Sequence, residues 1–414
     1  MIAEIITIGD EILIGQTIDT NSAWLSQELN KLGVRVSRVT TVADEGEEIK
    51  KALTEAHSRV DLVIMTGGLG PTNDDITKIT LTEYFQDELV LHDEVLEGIN
   101  SYFTSKGKAM LPMNRDQALL PSEAKIVRNF KGTASGMWFE KQGKVAISMP
   151  GVPYEMKHLM VTGFLDMIAE YFETSSVFHF TVMTFGEGES FIADRIQDWE
   201  RSLAQEDVKL AYLPSLGTVK MRLSAFGEDK SVLEEKVMRK AAELERLIPE
   251  LVYGYNEETL SEVVGRLLFQ NNRTIATAES CTGGYIAHLL TTVPGCSRYY
   301  EGSFCTYSYK SKSEILDVDA QMIIDQGAVS QDVVESMANG VFIHFDTDYS
   351  IAVSGIAGPE GGTEDKPVGT VWMSVGTKDK LVTKCYHFGR NRKNNIRMTA
   401  YTALNELRKQ LLEL

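Results

Sequence analysis

The most constraining feature of this chain is a short apolar run, Val60 to Met65, that passes directly into T-G-G-L-G-P-T-N-D-D at 66–75. So short a run without a polar face reads as a strand covered on both sides, the setting of a parallel sheet. The segments before it agree. Residues 2–8 are apolar and β-rich and lead into Gly9-Asp10-Glu11. Helical spacing of Trp24, Leu25, Leu29 and Leu32 over 21–32 stops at Gly33, Val34 to Val39 alternates like a strand, and 47–56 reads as a helix. The order β-α-β-α-β predicts a parallel sheet with right-handed crossovers. Another strand is expected at 145–149, ending in Pro150-Gly151-Val152-Pro153.

The character changes near residue 177. Strands are expected at 177–185 and 220–226, helices at 190–203 and 231–247, and a turn over Leu213 to Gly217. This small α+β unit has no catalytic-looking cluster and no basic stripe, so a spacer or dimer-forming module is favoured over a nucleic-acid module. Near 255 the pattern resets. A helix at 258–270 precedes a strand at 274–278 and A-E-S-C-T-G-G at 278–284. Strands follow near 303–308, 350–354, 368–375 and 381–387, with helices near 283–292, 331–345 (Ser330 as N-cap) and 394–412. The expected fold class is α/β. It comprises a three-layer α/β/α domain over 1–170, a small α+β domain over 171–255, and a second α/β/α domain over 256–414.

Charge excludes some partners. With 59 acidic and 41 basic residues the formal net charge is −18, a surface that repels nucleic acid and leaves phosphate binding to local cations. The four cysteines lack a C-x-x-C pair, which argues against structural zinc and for reduced thiols. No apolar stretch reaches the ~18 residues of a membrane span. The start has no basic segment followed by a long apolar run, unlike a signal peptide. A cytoplasmic protein without membrane partners is expected.

In an open parallel sheet, ligands bind beyond the carboxyl ends of the strands. Three candidate strands end in acidic pairs: Asp10 with Glu11, Asp44 with Glu45, and Asp74 with Asp75 after the glycine-rich turn. Glycines let backbone N–H groups approach an anion, and a divalent cation reconciles neighbouring carboxylates with a diphosphate. Alternatively, Asp74 and Asp75 simply cap a helix. The loop is neither a Walker A motif nor G-x-G-x-x-G.

I-T-I-G-D-E-I-L at 6–13, D-T-N-S at 19–22, the 66–75 loop, N-F-K-G-T-A at 129–134 and M-P-G-V-P-Y-E-M at 149–156 resemble the molybdopterin-binding fold of the CinA family. The resemblance implies ADP-ribose hydrolysis to AMP and ribose 5-phosphate, aided by a divalent metal of Mg or Co type. It places Asp10, Glu11, Asp74 and Asp75 near metal and phosphate, with Glu155 as a weaker candidate. Thr66, Gly67, Gly68, Gly70 and Thr133 would line the substrate loops. Where the family usually has G-T-A-P-G, this chain has Ser135 in place of the proline.

A-E-S-C-T-G-G follows a strand and opens a helix, a turn that exposes its side chains at a sheet edge. Ser280, Cys281 and Thr282 are all chemically possible players. His288, His344 and His387 sit in apolar helix or strand patterns, so the bases that stand out are Lys312 and Tyr307 of T-Y-S-Y-K-S-K at 306–312. Arginines in F-G-R-N-R at 388–392 and at 397 suit a phosphate monoester, or merely a solvated helix start.

With G-A-V-S at 327–330, S-G-I-A-G-P at 354–359 and K-P-V-G-T-V at 366–371, residues from about 258 to 410 resemble the C-terminal domain of the same family, the nicotinamide mononucleotide deamidases. The resemblance implies a serine amidohydrolase needing no metal. Ser297 in the G-x-S turn matches the nucleophile, Tyr307 and Lys312 its proton-moving groups, and Ser280 a supporting hydroxyl. Thr282, Gly283, Ser354, Gly355 and Arg392 or Arg397 match substrate contacts. Tyr309 replaces a usual asparagine, and an insertion leaves Arg390 and Arg392 as alternatives. The implied ligands are nicotinamide mononucleotide and ADP-ribose, and the implied assembly a homodimer without nucleic acid. Two other readings remain open: one active domain beside a relic, or a binding or competence accessory protein without hydrolase activity.

Overall fold

The computed structural model describes residues 1–72, 75–174 and 176–413. The chain divides into two compact units, residues 1–178 with 226–233 and residues 179–225 with 234–414.

The first unit is built on a six-stranded sheet in the order Arg35–Val42, Ile2–Ile8, Leu62–Thr66, Lys144–Met149, Gly136–Lys141, Lys125–Val127. The first four strands are parallel and the last two antiparallel. Alternation along the buried strands feeds two apolar layers. Ile6, Val63 and Met65 join one and Ile5, Leu62 and Ile64 the other, as the absence of a polar face at 62–65 requires. Helices Thr20–Lys31 and Gly46–His57 provide the crossovers. Asp19 starts the first of them by accepting the Ser22 N–H at 2.9 Å.

Two further sheets follow, one almost wholly in the second unit and the other wholly in it. One runs Val208–Ser215, Thr218–Gly227, Ser176–Phe185, Val252–Tyr255. Residues 213–215, expected in a turn, extend the first strand because they pair antiparallel with 218–220, and only 216–217 turn. The helix expected over 190–203 breaks at Ile196 into Glu189–Arg195 and Gln197–Leu203. The other sheet runs Tyr300–Cys305, Ile275–Glu279, Tyr349–Gly355, Thr370–Thr377, Lys380–His387, the first three parallel and the rest antiparallel. Ile275, Ile351 and Val353 face one core, and Ala276, Ala278 and Ala352 face the other.

The buried Arg408 on the last helix (Arg392–Leu411) donates to the carbonyls of Val252 at 2.7 Å and Glu250 at 2.8 Å, tying that helix to the strand Val252–Tyr255. Ser330 precedes the helix Gln331–Phe345 as expected, but its hydroxyl donates backward to the Gly327 carbonyl instead of capping. Among the described residues no helix is long and apolar enough to cross a membrane.

Candidate functional site

In the first unit, parallel register gathers the acidic strand ends. Ile8 pairs with Val42, Thr7 with Thr66, and Thr66 with Met149. The segments that follow these strands therefore meet at one edge, around a cavity of about 480 Å³ lined by Glu11, Asp44, Gly67, Gly68, Gly70, Asp75, Thr133 and Glu155. Gly68 has φ +63, and a Cβ there would collide with the Thr77 hydroxyl, so only glycine fits this turn without strain. Asp44, which the resemblance did not bring into the metal set, is central. Burial raises its carboxyl above the ordinary range. The Asp10 N–H opposes that rise, and the charges of Asp10, Glu11 and Asp75 add to it.

Other expected residues have structural partners. Asp75 accepts the Thr72 N–H at 3.0 Å and also its hydroxyl, a loop-closing role like the capping alternative. Thr66 is buried. It donates to the Pro150 carbonyl at 3.0 Å and accepts from Asn21, whose amide also reaches the Gly151 carbonyl at 2.7 Å. Asn129 donates to Glu155 at 2.6 Å and to the Ala134 carbonyl at 2.9 Å. The asparagines of D-T-N-S and N-F-K-G-T-A thus tie the loops together. Asp74 lies outside the described residues.

The oxygen donors suit a hard cation. Yet among the described residues no group of three or more His, Cys, Asp or Glu side chains is arranged to hold a metal ion. Among the described residues, which leave out Asp74, these carboxylates do not by themselves form a ready site for a divalent cation.

In the second unit, parallel pairing aligns Glu279 with Cys305 and with Val353. The residues after these strands, Ser280, Thr306 to Lys312, and the loop from Ser354, therefore share the carboxyl edge of the sheet. Lys312 is 1% exposed. Its amine lies 2.9 Å from Ser280 Oγ and donates to the Thr306 carbonyl at 2.6 Å. Burial pulls its pKa down to about 8, while the Cys281 and Cys305 thiols act in the opposite direction. This is a serine–lysine pair.

Ser297 is not part of it. It lies in the turn Cys296–Arg298, ahead of the amino end of the strand Tyr300–Cys305, with Ile275 paired to Tyr300. Six strand residues at ~3.3 Å each separate that end from Thr306, so Ser297 sits on the order of 20 Å from the Lys312 of the same chain. Within one chain, Lys312 therefore gathers beside Ser280 at the strand end away from Ser297. A sequence offset of ten to fifteen residues looked local, but a strand traverses the sheet between them.

Tyr307 is exposed and accepts from Arg392 at 3.0 Å, and Arg392 also donates to the Gly358 carbonyl at 2.8 Å. Arg392, not Arg397, therefore joins Tyr307 to the S-G-I-A-G-P loop. Arg397 hydrogen-bonds Tyr401 and Tyr285 instead, which raises its pKa. Ser354 is buried and donates to the Ala328 carbonyl at 2.6 Å, linking S-G-I-A-G-P to G-A-V-S. Gly283 and Gly284, at φ +61 and +94, turn the chain from Ser280 into the helix Tyr285–Thr291. Thr282 is buried with its hydroxyl unpaired among the described residues. Tyr309 is exposed at the start of the helix Tyr309–Leu316. Burial drives the Cys281 thiol up to about 12, against the lowering influence of Lys312 and Arg392. At neutral pH it is a poor nucleophile.

Three contributors escaped the sequence reading. Glu279 is fully buried and accepts the N–H groups of Gly284, Ile286 and Ala287 at 3.1, 3.0 and 2.8 Å. It holds the turn that presents Ser280. Glu279→Ala is expected to lower stability by about 3 kcal/mol through the N–H groups it orphans, seen as an earlier urea transition of the intact chain. Thr306 supplies the carbonyl on Lys312, and its own hydroxyl is buried and unpaired among the described residues. Asn395 is buried and bridges the Ala357 and Gly389 carbonyls at 3.0 and 2.8 Å.

Family models match along most of the length: "Probable molybdopterin binding domain" over residues 4–170, "Damage-inducible protein CinA KH domain" over 179–254, and "CinA C-terminal domain" over 257–411. A CinA-like protein of Cytophaga hutchinsonii is 48% identical over 411 residues, covering 99% of this chain and 98% of that protein. The chain belongs to the CinA family. A CinA-like protein of Flavobacterium psychrophilum is 41% identical, covering 100% of this chain and 99% of its own length. In this CinA-family chain both candidate sites lie on sheet carboxyl edges, and the middle module matches the family's KH domain.

Proposed function

We propose that the C-terminal half is a serine amidohydrolase that deamidates nicotinamide mononucleotide, and that the N-terminal half hydrolyses ADP-ribose to AMP and ribose 5-phosphate. One observation carries the first reading: a buried lysine amine, its pKa lowered to about 8, at 2.9 Å from Ser280 Oγ. Neutral Lys312 takes the Ser280 proton as Oγ attacks the carboxamide carbon. The proton passes to the departing nitrogen, ammonia leaves, and a pyridine acyl ester remains on Ser280. Water, deprotonated by the same amine, then releases nicotinic acid mononucleotide. Arg392 suits the phosphate, and the Thr282 and Tyr307 hydroxyls suit the carboxamide and ribose.

The test is incubation of the purified chain with each nucleotide, with and without a divalent cation, measuring ammonia and AMP. Metal-independent ammonia from nicotinamide mononucleotide supports the first reading, and its absence removes it. A second reading, in which only the C-terminal half is catalytic and the N-terminal half binds a ligand, is favoured by the carboxylates among the described residues, which form no group of three placed to hold a metal ion. ADP-ribose left intact under all conditions would select it. The homodimer and the cytoplasmic location belong to this proposal, the former checked by sedimentation.

A further inference from the structure

A groove of about 1070 Å³ lies in the second unit and shares no lining residue with either candidate site. Its floor is apolar. Met238, Ala241 and Ala242 come from the helix Lys230–Leu247, and the Phe180 and Tyr255 rings come from two paired strands. The two ring centroids are 5.4 Å apart with the planes tilted by 31°, and both rings are half-buried. Met238 is 41% exposed, so apolar surface faces the groove. The turn at one end is fixed by Asn256, at φ +56. Its N–H donates to the Thr181 carbonyl at 2.7 Å, and its side-chain oxygen accepts the Thr181 N–H at 3.3 Å.

The rim is acidic. Four glutamates line the groove against one cation, Arg266. Two of the four have structural partners. Glu258 accepts the Tyr255 N–H at 3.0 Å and pairs with Arg266 at 3.1 Å, and Glu262 accepts the Thr259 N–H at 2.7 Å. Glu245 and Glu257 make no ion pair among the described residues. Burial and a hydrogen bond to Glu245 raise the Tyr255 phenol above its ordinary range, so the ring stays neutral. This rim repels phosphates and acidic segments. An ammonium gains here twice, from the faces of neutral rings and from charge-assisted bonds to carboxylates. The groove is far larger than one ammonium group. A matching ligand therefore carries several, separated by methylene runs that cover the apolar floor.

We infer that this groove binds a linear aliphatic polyamine, with its ammonium groups on Glu245 and Glu257 and its methylenes over Ala241, Ala242 and Met238. The floor helix lies within the match to the KH domain, and Glu257 lies within the match to the C-terminal domain. A bound polyamine bridges the two.

The experiment is calorimetric titration of the intact chain with spermidine and putrescine, with magnesium as a competitor. The proteins compared are native, the double variant Glu245→Gln with Glu257→Gln, Ala242→Leu and Glu301→Gln. Glutamine at 245 keeps an acceptor for Tyr255, and Glu257 is exposed, so the double variant removes charge without removing the fold. Leucine at 242 fills the floor with a good helix former and leaves the charge alone. Glu301 is exposed on the strand Tyr300–Cys305, outside the groove, and controls for net charge. The expected result is spermidine binding tighter than putrescine binding and unchanged in Glu301→Gln. In the double variant and in Ala242→Leu it should fall by about tenfold, the scale of a lost charge-assisted contact. Spermidine that fails to bind the native chain overturns the proposal. So does equal binding to all four proteins, which is diffuse attraction to a chain of charge −18. Displacement by magnesium at equal concentration of charge, or binding of oligolysine without binding of spermidine, also overturns it.

Discussion

Lys312→Met is expected to lower kcat for amide hydrolysis by about three orders of magnitude, within the range for loss of a general base. At pH 7 an amine with a pKa of about 8 is about a tenth neutral. An ordinary lysine is neutral some ~300-fold less often, so burial itself supplies much of the reactive base. Native kcat/KM is therefore expected to rise with pH through about 8 and level off above it. Lys312→Arg should not rescue activity, since guanidinium keeps its proton. The fold should survive Lys312→Met, because an aliphatic chain of similar length replaces a charge that burial disfavours. Linkage supplies a second readout. The folded chain releases this proton at about 8 and the unfolded chain near 10.5. Between those values the unfolded state binds more protons, so native stability gains as pH rises. The methionine variant loses that gain.

Ser280→Ala is expected to reduce turnover at least as severely, by about a thousandfold or more, because nucleophile and base act as a unit. Ser297→Ala is expected to change it by less than about threefold, as for a surface residue remote from the chemistry. The family's G-x-S turn pointed to the opposite ranking, so steady-state kinetics on these two variants separate motif from geometry. Cys281→Ala should also retain most activity, since burial holds that thiol protonated at neutral pH. Loss of activity in Ser297→Ala with retention in Ser280→Ala would reverse the assignment.

Much of the fold was legible in the sequence because buried parallel strands leave short, wholly apolar runs. Leu62–Thr66 and Ile275–Glu279 were both visible this way. The ends of strands were less so. The strand expected over 303–308 stops at Cys305. Thr306 and Tyr307 are β-branched and aromatic and prolong the pattern past the true end, and that displacement hides the register. Register decides partnership: with Glu279 opposite Cys305, Ser280 meets the residues after the strand, while Ser297 is left before it. Lys312 was identifiable as a base from its type and neighbourhood, but its partner was not.

Glu279 was opaque for a different reason. It caps N–H groups five to eight residues ahead, outside the local spacing of a capping box. Asp44 was recognised as an acidic strand end. Its convergence with Asp10, Glu11 and Asp75 is a product of three parallel strands stopping at the same level.

The most direct test of the serine–lysine account is mass spectrometry of the acid-quenched reaction with nicotinamide mononucleotide, followed by peptide mapping. The account predicts an acyl adduct on the peptide containing Ser280, lost in Ser280→Ala and retained in Ser297→Ala. An adduct on the peptide containing Ser297, or one on Cys281 that persists in Ser280→Ala, would contradict it.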